Sequence, residues 1–162
     1  MPKFKHIFKT IPVLAFCLWA LCSCTEPLKE YDFKDFGITK GWHNNTSANL
    51  SLDIREGIAP GKIYLCAQIL NNEKLAAIDS LPVFIAFISP DSKKYFDTVN
   101  LPLNVTQVEG VYRKSGRIIE IQWPYMNNIN VDIPGRWRII LRHLSKNNSA
   151  YDNVIGIGVS YR

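Results

Sequence analysis

From Ala48 onward the apolar residues recur with a period of two. Ala48, Leu50, Leu52 and Ile54 alternate with Asn49, Ser51, Asp53 and Arg55, the pattern of a strand with one buried face and one wet face. Ile63, Leu65, Ala67 and Ile69 continue it after Pro60-Gly61. Val83–Ile88 is apolar on both faces, which places it centrally in a sheet. Pro90-Asp91-Ser92-Lys93 has turn chemistry, since Pro fixes φ and Asp bonds back to nearby backbone, so Tyr95–Leu101 is expected to return antiparallel. Ile119, Ile121 and Trp123 form another inward row, which Pro124 is expected to end. Trp137, Ile139 and Leu141 follow Pro134-Gly135, and Ile155, Ile157, Val159 and Tyr161 form the last row. These seven candidates, with no convincing amphipathic helix, predict an all-β fold: a single antiparallel β-sandwich of about seven to eight strands. Gly156 and Gly158 share one face of the last strand; of the two uses of such a face, close approach of a backbone or ligand and simple packing relief, relief is the expectation. Asn104–Gly116 has little periodicity and reads as a long loop, of the kind that is functional or disordered.

The N-terminus follows different rules. Lys3, Lys5 and Lys9 precede Ile11–Cys22, an apolar run too short for a bilayer span, which needs roughly 20 residues. A basic segment, a short apolar segment and small residues after it make a secretory signal. Leu21-Cys22-Ser23-Cys24 resembles the lipobox of bacterial lipoproteins, with Leu at −3, a small residue at −1 and then the acylated Cys. Cys22 fits less well, because bulky Leu21 would sit just before the cut. The expected organisation is a cleaved lipoprotein signal peptide over 1–23, an acylated tether over 24–30 and the β-sandwich over 31–162. Acyl chains such as palmitate on Cys24 would tie the domain to a membrane, and stable anchoring takes more than one chain. Thr25 rather than Asp follows Cys24, which favours the outer membrane and leaves the leaflet open.

Cleavage changes the arithmetic. The whole chain carries 19 basic and 14 acidic residues, a formal charge of +5. Losing the three leader lysines lowers this to +2, so the basicity gives no reason to expect nucleic acid as a partner. Cys17 and Cys22 leave with the leader and Cys24 takes the lipid, so Cys66 stands alone in the apolar stretch Ile63–Leu70. It reads as a buried, inert thiol. A disulfide, a CxxC redox role and a Cys-ligated zinc site are thereby excluded.

Catalytic groupings are scarce. His43 and His143 remain after cleavage, and no HExxH, GxSxG or DxDxDG pattern recruits them. His143 extends the inward row of Trp137, Ile139 and Leu141, so it reads as a core or strand-end histidine. No enzyme activity, metal or cofactor is expected. Arg136, Arg138 and Arg142 alternate with that row and are expected on its outer face, where Arg113, Lys114 and Arg117 would join them in a patch for an anionic lipid headgroup or an acidic partner. Trp42 and Tyr125 are candidate platforms for stacking sugar rings.

Several segments together resemble the GldH-type gliding-motility lipoproteins. They are Tyr31-Asp32-Phe33 with Gly41-Trp42, Leu81-Pro82-Val83-Phe84, Pro90-Asp91-Ser92-Lys93, Tyr95-Phe96-Asp97-Thr98-Val99 with Leu101-Pro102-Leu103, Val131-Asp132-Ile133-Pro134-Gly135-Arg136-Trp137, and Ile155-Gly156-Ile157-Gly158-Val159. The resemblance runs from about Tyr31 to the C-terminus, departing in Val105–Arg117, where the family has a Trp- and Gly-rich stretch. It implies a β-sandwich lipoprotein of the cell envelope, a non-catalytic accessory or scaffold subunit that serves gliding motility or its secretion machinery beside other envelope proteins. The alternative is a lipid-anchored glycan-binding module of the envelope. Asp79-Ser80-Leu81 and Asp97-Thr98-Val99 also resemble the O-glycosylation acceptor of bacteria that carry this family, with Ser80 the first expectation and Thr98 the second.

Overall fold

The computed structural model describes residues 30–55, 61–72, 80–103, 112–129, 132–144 and 150–162. The leader 1–23, the acylation residue Cys24, the tether as far as Lys29 and the 104–111 part of the expected loop lie outside the described residues. Eleven strands and no helix are found among those described. They are β1 (Tyr31–Asp35), β2 (Trp42–His43), β3 (Ala48–Ile54), β4 (Gly61–Leu70), β5 (Ser80–Ile88), β6 (Lys94–Pro102), β7 (Tyr112–Ser115), β8 (Ile118–Ile129), β9 (Gly135–His143), β10 (Ala150–Tyr151) and β11 (Val154–Tyr161). Two antiparallel sheets, ordered β1-β11-β4-β8-β7 and β3-β9-β5-β6, pack face to face as a β-sandwich. All seven alternating rows form strands, and β5 lies inside its sheet between β9 and β6.

The register explains the core. In the first sheet Val159, Leu65 and Trp123 stand side by side, as do Ile157, Ala67 and Ile121. In the second, Leu50, Ile139 and Phe87 form one inward row. Because side chains alternate across a strand, every second residue of these rows points into the space between the sheets. Leu52, Leu65, Ile85, Ile139 and Ile157 are completely buried there.

Both long sides of the sandwich are seamed. On one, the Asp32 carboxylate of edge strand β1 accepts the Ser51 backbone N–H of edge strand β3 at 2.8 Å, covering a sheet edge that would otherwise invite pairing. On the other, Trp123 Nε1 donates to the Pro102 carbonyl at 3.0 Å, and the Tyr125 hydroxyl donates to Asp97 at 2.7 Å. The two ends differ. At one, the short β2–β10 ladder sets Trp42 and Tyr151 over the strand ends, and both are buried with His143. The other end stays open.

One strand is added and two expectations are corrected. Tyr31–Asp35 is a strand whose alternation, over only five residues, is too short to announce it in the sequence. Pro124 does not end its strand, since β8 runs on to Ile129. β7 pairs β8 only as far as Ile121, so among the described residues Pro124 lies where β8 has no partner on that side, a place that tolerates a missing N–H. Within the expected loop, residues 112–115 pair as β7 and turn into β8 at Gly116, whose φ of +60° suits glycine.

Candidate functional site

The open end holds an apolar pocket of about 300 Å³ between the sheets, at the lower limit of small-molecule sites, roughly 300–1,000 Å³. Its floor is aliphatic: Leu52 and Ile54 from β3, Ile63 from β4 and Ile139 from β9, all buried. Phe87 from β5 and Trp137 from β9 make the walls, with Ile129 and Ile133 beside them. Tyr95 and Met126 stand at the mouth, 50% and 39% exposed. Asp132, exposed at the rim, supplies the single carboxylate among the described lining residues.

The walls are held in place before anything binds. The Tyr95 and Trp137 rings stack with centroids 6.0 Å apart, and Phe87 stacks on Tyr125 at 5.8 Å. Trp137 Nε1 donates to the Ile133 carbonyl at 3.0 Å, which fastens the 132–133 segment over the cleft and occupies the indole donor. The ladder between β4 and β8 shifts register on either side of Ile63, and such irregularities bend and re-aim a strand. The lining therefore offers shape and apolar surface, with few polar groups to orient a polar ligand.

The open end is also where the N-terminal strand begins. Tyr31 pairs with Ser160, Ser160 with Tyr64, and Tyr64 with Pro124, which sets the start of β1 level with Ile63 and Met126. The Tyr161 N–H donates to the Glu30 carbonyl at 2.8 Å, and the Glu30 side chain pairs with Arg55 at 3.2 Å, next to Ile54.

The residues singled out in the sequence do not gather at one place. Trp42 is wholly buried: Phe36 stacks on it at 5.4 Å, and its Nε1 donates to the Thr46 carbonyl at 2.8 Å. Its ring has no face for a sugar, which corrects the expectation of a stacking platform, and its work is to plug the closed end. Tyr125 is half-buried, with one face on Phe87 and its hydroxyl on Asp97. Burial, then the Asp97 carboxylate, push its phenol far above the ordinary value. Arg136, Arg138 and Arg142 do lie exposed on the outer face of β9. Arg136 is engaged, donating from Nε and Nη2 to both Asp53 oxygens at 2.8 and 3.0 Å. Phe84 pairs with Arg142 and with Thr98, and Ala86 with Ile140 and Phe96, so the arginines share their face with the stacked Phe84 and Phe96 rings, centroids 5.9 Å apart. Arg113 and Lys114 sit on β7, an edge strand of the opposite sheet, and Arg117 sits in the turn that follows it, so the expected single basic patch is divided between two sheets.

Ser80 is half-buried at the start of β5, opposite Pro102, whereas Thr98 is exposed on edge strand β6. Cys66 is a buried free thiol, 3.8 Å from the Ser160 hydroxyl, and burial raises its pKa. No group of three or more His, Cys, Asp or Glu side chains able to hold a metal ion occurs among the described residues. The pocket residues were legible only as core, since aliphatic side chains in an alternating row look alike whether the space beside them is filled or open. Comparison with protein-family models, with curated proteins and with solved structures gives no match.

Proposed function

We propose that this chain is a lipid-anchored, non-catalytic subunit of the bacterial cell envelope, held through Cys24 and serving gliding motility or its secretion machinery as an accessory or scaffold. One observation carries the reading: the strand that would follow the acylated tether begins at the end of the sandwich that bears the open apolar pocket. Five residues separate Cys24 from Glu30, and the six residue steps between them, at most roughly 3.3–3.6 Å each, span about 20 Å. A domain so tethered works within that distance of the bilayer, with its pocket end towards the membrane and its closed end and outer faces towards the surrounding envelope. The resemblance to GldH-type lipoproteins adds the process served, and the outer membrane is the expected location.

Affinity co-purification of the tagged full chain from mildly solubilised envelopes tests this reading. Gliding or secretion subunits are expected in near-stoichiometric amounts, and they are expected to be lost from the Cys24→Ala variant. Recovery of the lipoprotein alone would overturn the scaffold role.

A further inference from the structure

We infer that the pocket receives one acyl chain of an anionic phospholipid from the membrane to which the protein is tethered, an inference that rests on the anchored reading above. Three observations converge on this occupant. The slot is lined by Leu52, Ile54, Ile63 and Ile139 at its floor, and the Trp137 N–H nearest the mouth is already bonded within the protein. A polar ligand would find almost nothing there to replace its water, whereas an alkyl chain loses nothing on entering. The volume of about 300 Å³ admits part of a single chain and no folded segment.

Position supplies the second observation. On the anchored reading the tether keeps Glu30, at the pocket end, within about 20 Å of the bilayer, so lipid is present at a high effective concentration. Because a bilayer interior is as apolar as the pocket, a chain passes between them with little net hydrophobic change, and nearness decides occupancy. Tyr95 and Met126, exposed at the mouth, meet the headgroup region with an amphipathic ring and an adaptable thioether.

Charge supplies the third. At this end Glu30 is paired with Arg55, Asp91 with Lys93 and Asp53 with Arg136. Lys62, Lys94 and Arg138 are exposed there, and Asp132 is the carboxylate at the rim. Register sets Lys94 and Arg138 on either side of Ile88, beside Tyr95 and Trp137. These cations, on the outer faces of the sheets at the pocket end, complement the phosphate of an anionic headgroup left outside the slot.

Photo-crosslinking in living cells tests the proposal on the full chain. Benzoylphenylalanine placed at Met126 is expected to yield, on irradiation, an adduct heavier by one phospholipid. The same probe at Asn100, exposed towards the far end of β6, is expected to yield none. Ile133→Trp, which fills the mouth from a connecting segment outside the strands, is expected to reduce the Met126 adduct to the Asn100 level. Protein adducts only, equal lipid capture at both positions, or an internal link to the acylated Cys24 would each overturn the inference. Labelling of Cys24 with an alkyne fatty acid in the same cells separates the two failures. Label without a phospholipid adduct sinks the pocket proposal alone, and absence of label sinks the anchor itself.

Discussion

The His143 imidazole lies edge-on to the rings of Trp42 and Tyr151, with centroids 5.3 and 5.0 Å away. It is 3% exposed. Backbone groups of Trp42 and His43 lie near it and favour the charged form, but neither ring nitrogen reaches hydrogen-bond geometry with a partner among the described residues. Burial, the dominant effect, lowers its pKa from the ordinary 6.5, because the charged ring would lose water without gaining a counter-charge. The sign follows directly. The unfolded chain takes up a proton below pH 6.5 while the folded chain does not, so this histidine's contribution is complete above 6.5 and is lost as the pH falls towards the folded pKa. The loss reaches at most about 1.4 kcal/mol per pH unit, the limit for one proton. Urea midpoints measured between about pH 5 and 8 should fall on the acid side for the wild type. His143→Phe, which keeps an aromatic ring in the cage, should flatten that fall. Parallel profiles would show that another group governs it.

At the scale of elements, β1 joins the sandwich because β11 makes room for it. Gly158 faces Phe33 across the ladder, and a Cβ there would stand 2.6 Å from both the Asp32 carbonyl oxygen and the Phe33 ring. A Cβ on Gly156 would meet the same ring at 2.4 Å. The glycines therefore permit a close approach rather than simple packing relief, and what they admit is the backbone and Phe33 ring of the strand lying against them. Gly158→Ala should push β1 away from β11 and loosen the Asp32 bond to Ser51, at about 1–3 kcal/mol, the usual cost of overpacking. A thermal melt reads this directly, and an unchanged melting temperature would show that β1 shifts without penalty. The seam also explains why Asp32 belongs to the fold. Its carboxylate bridges the edges of the two sheets.

For the whole molecule, processing and modification are expected to appear together in the mass of the envelope-extracted protein. It should correspond to a chain beginning at Cys24 with its acyl chains, plus hexose units that Thr98→Ala removes and Ser80→Ala leaves in place. Exposure reverses the order expected from the motifs, since Thr98 stands on an exposed edge strand and Ser80 is half-buried. A mass with no added hexose would end the glycosylation proposal. The sequence by itself determined the fold class, seven of the strands, the central place of β5 and the burial of Cys66. All of these follow from alternation, turn chemistry and counting, which act between near neighbours in the chain. Only the tertiary structure decided which end of the sandwich closes, because the plug joins Phe36, Trp42, His143 and Tyr151 from distant parts of the chain. The pocket was likewise decided there. Leu52 and Ile139 differ from Leu65 and Ile157 only in what lies opposite them, and that depends on how two sheets meet, which no local pattern encodes.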